Sequence, residues 1–158
     1  MIRLREAGKA DLPGLFELDR VCFPGEIAYS LREFRALLRS TRTISMVVEE
    51  DGDLAGFAIS RSVLARGALG GHIVTIDVGP AFRRRGVGRL LMDEVESRMV
   101  RAEAAWLRLE VAIDNLGAQS FYTSLGFQPI GQIRGYYPGN LDALVMRKIL
   151  PGSGTLTG

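Results

Sequence analysis

Apolar positions along this chain switch between a period of two and a period near four. Residues 2–5 alternate apolar and charged side chains, as a short edge strand does. Asp11 stands where it can cap a helix whose first turn accepts Pro13, and Leu12, Leu15, Phe16 and Leu18 form that helix's apolar stripe. Pro24 and Gly25 break it. Ser30 and Glu33 are spaced as a capping box, and they open a second helix with Leu31, Phe34, Leu37 and Leu38 on its buried face. Residues 44–49 and 54–63 read as strands joined by the turn Asp51-Gly52-Asp53. Residues 72–78 form a third β segment, rich in branched side chains. Val87, Leu91, Val95 and Met99 recur every four residues, and Leu90 and Met92 widen the stripe, which specifies an amphipathic helix. Residues 106–111 are a strand, 115–125 a short helix stopped by Gly126, and 127–133 and 143–148 the closing strands. The ending PGSGTLTG has no apolar pattern and is expected to lack fixed structure.

The resulting order is β-α-α-β-β-β-α-β-α-β-β. Three successive middle strands favour antiparallel hairpins, and the long helix after residue 78 favours a parallel crossover. The expected architecture is α+β: a mixed, mostly antiparallel sheet flanked by helices, in a single domain over residues 1–150.

Composition narrows the chemistry. The 158 residues carry 20 Lys and Arg against 18 Asp and Glu, a net charge of +2, too balanced for a protein that lives on nucleic acid. The single cysteine, Cys22, excludes an internal disulfide and a thiolate metal cluster, and a reducing compartment is the simplest reading. The start of the chain is charged from its third residue, unlike a signal peptide, and the long uncharged run 115–133 is too rich in polar residues and glycine to span a membrane. A cytoplasmic protein with no membrane partner is expected.

Charge is clustered in FRRRGVGRLL, residues 82–91. A strand, then Arg83-x-x-Gly86-x-Gly88, then a helix has a physical logic. Helix N-termini offer unpaired N–H groups and partial positive charge. Glycines let the backbone come close to a bulky anion, and Arg83, Arg84, Arg85 and Arg89 add charge-assisted bonds to phosphate oxygens. Together with Val87 this turn is a pyrophosphate-binding candidate. It is no P-loop, because no Gly-Lys-Ser/Thr follows Gly88. It is no dinucleotide fingerprint, because Leu91 stands where a third glycine belongs. Downstream, alternation puts Trp106, Arg108 and Glu110 on one strand face, and Ala118, Gln119 and Tyr122 share a helix face that starts from Asn115. Spacing alone favours a plain ion pair of Glu110 with Arg108 or an exposed lysine, and a packing role for Tyr122.

These residues resemble the GNAT superfamily of acetyl-CoA-dependent N-acetyltransferases over almost the whole chain. Arg83-x-x-Gly86-x-Gly88 is similar to its pyrophosphate motif, IDVGPAFRRRGVG to its strand and turn, and DNLGAQSFYTSLGF to its second cofactor segment. Within the superfamily, CFPGE, LEV, FYTSLGF, GYYPG and DALVM resemble the ribosomal-protein alanine N-terminal acetyltransferases, the RimI group. The resemblance implies direct transfer of acetyl from acetyl-CoA to an amine, with CoA as product and no metal. It implies Glu110 as base and Tyr122 as the acid for the leaving thiolate. It also implies cofactor contacts from Ile76, Asp77, Val78, Asn115 and Ala118, and acceptor contacts from Tyr29, Tyr136 and Tyr137. The implied partner is a protein N-terminus, a ribosomal protein being the group's best-known target, and the implied state is a monomer or weak dimer with no direct nucleic-acid contact. A lysine or small-amine acetyltransferase and a non-catalytic CoA-binding module are the alternatives. Ala112, Asp77 and Glu26 depart from the group's usual arginine, small apolar residue and proline-tryptophan pair. His72 begins a strand outside the matched catalytic segments and is expected to serve structure or solvent. Cys22 is expected to be a small buried hydrophobe.

Overall fold

Asp51 and Gly52 both take positive φ, 53° and 88°, the geometry that turns a chain back on itself in two residues. Around that turn the computed structural model, which describes residues 1–23 and 25–151, pairs β2 (Thr43–Glu50) with β3 (Asp53–Ala65). β1 (Ile2–Glu6) adds antiparallel to β2. A second turn with positive φ at Arg66 and Gly67 leads into β4 (Ala68–Val78). β4 joins β5 (Trp106–Ala112) in parallel at Gly71↔Leu107 and His72↔Arg108. β7 (Leu141–Ile149) runs antiparallel to β5, and β6 (Gln128–Tyr137) closes the edge against β7. The seven strands lie in the order β1-β2-β3-β4-β5-β7-β6, a mixed and mostly antiparallel sheet. Four helices accompany it: α1 (Leu12–Cys22), α2 (Leu31–Arg39), α3 (Val87–Arg101) and α4 (Leu116–Ser124). The element order is the one the hydrophobic pattern specifies.

The chain divides into two compact units, residues 1–61 with 74–97, and residues 62–73 with 98–158. The first is centred on Leu15, Phe34, Val47, Phe57 and Ile59, all essentially without solvent contact. Phe34 sits edge-on to Phe57 with ring centroids 5.8 Å apart, an arrangement aromatic quadrupoles favour. In the second unit the alternation of β5 buries Leu107, Leu109 and Val111 and leaves Trp106, Arg108 and Glu110 on the other face. Gly70 and Gly71 make that packing possible. A Cβ on Gly70 would stand 2.2 Å from the Trp106 ring, and one on Gly71 would stand 2.7 Å from Leu107. A close approach of this kind is what glycine inside a strand signifies.

Four local expectations change. Ser30 and Glu33 do form the capping box, each side chain bonding the other's main-chain N–H. Asp11, in contrast, does not cap α1. Its carboxylate takes a two-pronged bond from Arg5 (2.8 and 2.7 Å) and the Gly8 N–H (2.7 Å), because a guanidinium fork outcompetes a single helix amide. Leu31, in the first turn of α2, is 38% exposed rather than buried, because the capping loop lifts it clear of the core. β4 starts four residues before the expected position, and β6 runs on to Tyr137 instead of ending at residue 133. The glycines at 70, 71, 131 and 135 mask the strand pattern there. Of the end expected to lack structure, residues 152–158 lie outside the described residues, as does Pro24.

Candidate active site

Glu110 collects side chains from three strands. His72 and Arg108 are register partners on β4 and β5, and Glu110 lies two residues further along β5 on the same face as Arg108. The His72 imidazole therefore reaches it diagonally, with Nε2 2.8 Å from Oε1. The Arg108 Nε lies 3.6 Å from Oε2. The third contact is the Tyr136 hydroxyl, which donates to Oε1 at 3.0 Å. Tyr136 gets there through a bulge: between Ile133↔Ala143 and Tyr137↔Leu141, three residues of β6 face one residue of β7. That one residue is Asp142, whose carboxylate accepts the Gly135 N–H at 2.9 Å and the Gln132 amide at 2.8 Å. Asp142 thus holds the arch that carries Tyr136, and bulges re-aim side chains in this way.

The electrostatics follow from these contacts. Burial pushes the Glu110 carboxyl up, but His72, Tyr136 and Arg108 outweigh burial and hold it below the usual carboxylate range. Glu110 is therefore an anion at neutral pH. A carboxylate only accepts hydrogen bonds, so His72 Nε2 carries the hydrogen. The buried His72 Nδ1 has no hydrogen-bond partner.

The glycine turn is built differently. Gly86 has φ +82°, and a Cβ placed on it would meet nothing within 4 Å, so one side of the turn is open. Its carbonyl accepts the Leu90 N–H at 2.9 Å and starts α3, whose first amides at Val87, Gly88 and Arg89 have no carbonyl four residues back in the helix. Arg84 (φ 63°) and Arg89 are exposed. The other two arginines have protein partners: Arg83 Nε donates to the Val78 carbonyl at 3.2 Å, and Arg85 pairs with Glu50 at 2.6 Å.

The remaining site candidates are distributed as follows. Ile76 and Val78 are half-buried on β4, while Asp77 is buried, only 1% exposed. Asn115 caps α4 by accepting the Ala118 N–H at 3.1 Å. Tyr122 is 8% exposed, its ring 5.9 Å from that of Phe127. Tyr137 stacks edge-on against Tyr136 at 4.9 Å. The Tyr29 hydroxyl donates to the Val74 carbonyl at 3.4 Å. Cys22 is half-buried at the end of α1, and burial followed by the nearby Asp77 raises its thiol, so no ready thiolate stands there. Sequence reasoning missed His72 and Asp142. The only signal was topological, since a parallel β4–β5 pair brings residue 72 beside residue 108. Among the described residues no group of three or more His, Cys, Asp or Glu could hold a metal, and no helix is long and apolar enough to cross a membrane.

The acetyltransferase (GNAT) family model matches residues 12–127, and the chain belongs to that family. It is an N-acetyltransferase, and its relatives are enzymes of protein N-termini. It is 32% identical over 141 residues to the ribosomal protein bS18-alanine N-acetyltransferase of Escherichia coli K12, covering 86% of this chain and 89% of that protein. It is 31% identical to the N-alpha-acetyltransferase RimI of Mycobacterium tuberculosis, over 89% of this chain and 87% of that one. The crystal structure of the Escherichia coli ribosomal-protein-S18-alanine N-acetyltransferase superposes with a TM-score of 0.84 at 27% identity, over 95% and 94% of the two chains. Arabidopsis thaliana NAA60 in complex with acetyl-CoA shares the fold, with a TM-score of 0.86 at 21% identity over 96% and 100%.

Proposed function

We propose that this enzyme moves acetyl from acetyl-CoA to the α-amine of a protein N-terminus, with Glu110 receiving the amine's proton. The observation that carries the reading is the Glu110 cluster, an anionic carboxylate 10% exposed and fixed by His72 and Tyr136. The open glycine turn, the first amides of α3 and the exposed Arg84 and Arg89 suit the diphosphate of acetyl-CoA. Bound there, acetyl-CoA supplies the acetyl group as a thioester.

Magnitudes favour an α-amine over lysine. An α-amine has pKa about 7.7–8.0, so roughly a third is neutral at pH 7.5, against about 0.1% of lysine at pKa about 10.4. A carboxylate held below about 4.3 would face a gap of over six units, roughly 8 kcal/mol, in deprotonating lysine first. With an α-amine it need not act first. Glu110 accepts a hydrogen bond from the neutral nitrogen and aims its lone pair. It takes the proton once the nitrogen has committed that lone pair, when the N–H is far more acidic. His72 steadies the anion until then. Tyr122 donates its phenolic hydrogen to the departing sulfur, and main-chain N–H groups near Val78, with Asn115 and Ala118, hold the donor's arm. Tyr136 and Tyr137, and also Tyr29, contact the acceptor. The relatives' names support a ribosomal protein as that acceptor.

The test is mass spectrometry after incubation with acetyl-CoA and peptides carrying either a free α-amine with blocked lysines or the reverse. Acetyl on the α-amine is expected. Acetyl confined to lysine or to polyamines would contradict the reading.

A further inference from the structure

Asp19 on α1 and Asp77 on β4 are two acidic side chains in the interior of the first unit, 0% and 1% exposed. Two of their four carboxylate oxygens have donors. The Tyr29 N–H donates to Asp19 Oδ2 at 2.7 Å, and the Thr75 hydroxyl donates to Asp77 Oδ1 at 2.6 Å. That leaves Asp19 Oδ1 and Asp77 Oδ2, both buried and both without a hydrogen-bond partner. Asp19 is the charged neighbour that acts on Asp77; two adjacent buried carboxylates cannot both stay ionised, and two orphaned acceptors need one donor. A single proton answers both requirements at once.

We propose that Asp77 Oδ2–H donates to Asp19 Oδ1, and that this carboxyl–carboxylate pair is a positioning element that ties Tyr29, on the acceptor side, to strand β4. Burial first, then the Asp19 carboxylate, pushes the Asp77 carboxyl well above the usual range, consistent with Asp77 holding the proton. The other titratable group facing Asp77 is Cys22, also on α1, whose raised thiol supplies no charge. Arg83 lies against the Cys22 sulfur at 3.9 Å. The geometry gives the pair a lever. Tyr29 is held at both ends, its amide by Asp19 and its hydroxyl by the carbonyl of Val74 on β4. Its ring leans edge-on against Phe34. Losing the shared proton would set two carboxylates against each other beneath that residue. The role in acceptor binding rests on assigning Tyr29 to the acceptor; the proton itself does not.

Two measurements separate these parts. Infrared difference spectra of wild type against Asp77→Asn at neutral pH should contain the C=O stretch of one protonated carboxylic acid, lost in the variant. Its absence would overturn the shared proton. Steady-state kinetics with an α-amine peptide should then show acceptor KM raised about tenfold in Asp77→Ala, with acetyl-CoA affinity changed less than twofold. Asp77→Asn, whose amide can donate to Asp19 while its oxygen accepts from Thr75, should recover most of that loss. Wild-type acceptor KM should climb at alkaline pH as the proton leaves, and in Asp77→Asn that climb should vanish. If Asp77→Ala lowers the melting temperature and leaves acceptor KM unmoved, the positioning role is overturned. If Tyr29→Ala also leaves KM unmoved, the acceptor assignment falls with it, whatever the infrared result.

Discussion

Around Glu110, three strands each spend a side chain on one carboxylate; at residues 83–89 all four arginines are exposed, with Arg83 and Arg85 also held by protein partners. The first region is closed and pre-organised, which suits a group whose proton affinity must be set before substrate arrives. The second is open and cationic, which suits a polyanion that brings its own shape. The difference teaches where each kind of change should register. Damage to the cluster should appear in turnover, and damage to the turn in donor affinity.

The largest expected loss of stability comes from beneath the cluster. Gly70→Ala would drive a methyl group into the Trp106 ring and should cost about 1–3 kcal/mol of stability, read by denaturant unfolding. Turnover should fall as well, because His72 lies two residues along the same strand. Next, removing two cations of the turn, Arg84→Ala with Arg89→Ala, should weaken acetyl-CoA binding about five- to thirtyfold, or about 1–2 kcal/mol, by calorimetry. That loss should shrink at high salt and leave saturated turnover nearly unchanged. An equal loss of turnover would break the comparison. Third, Tyr136→Phe removes one hydrogen bond to Glu110 and should lower kcat about fivefold, close to 1 kcal/mol, with donor affinity intact. The smallest effect is on pH dependence. The folded carboxyl of Glu110 lies below its unfolded value, so its contribution to stability is present above about pH 4.3 and is lost as pH falls through the lower folded value. Glu110→Gln should therefore flatten the acid limb of a stability–pH curve.

The turn's shape was legible in the sequence because it is local. Arginines, glycines and the start of a helix are neighbours in the chain, and the same residues appear together in the fold. The cluster was only half legible. Glu110 and Tyr136 were named through resemblance, while His72 was assigned to structure or solvent. Nothing within ten residues of His72 hints at Glu110, which lies 38 residues away and is reached only through parallel strand pairing. Asp142 fixes the bulge with its carboxylate, a feature that depends on register and not on composition. Glycines at 70 and 71 hid the start of β4 for a related reason: they are there for Trp106 and Leu107, which arrive from far along the chain.

The most direct test of the Glu110 assignment compares wild type with Glu110→Gln on one α-amine peptide, measuring kcat together with acetyl-CoA affinity by calorimetry. Loss of a positioned proton acceptor should lower kcat about 10²–10³-fold while leaving donor affinity within twofold. Equal turnover by the two proteins would contradict it.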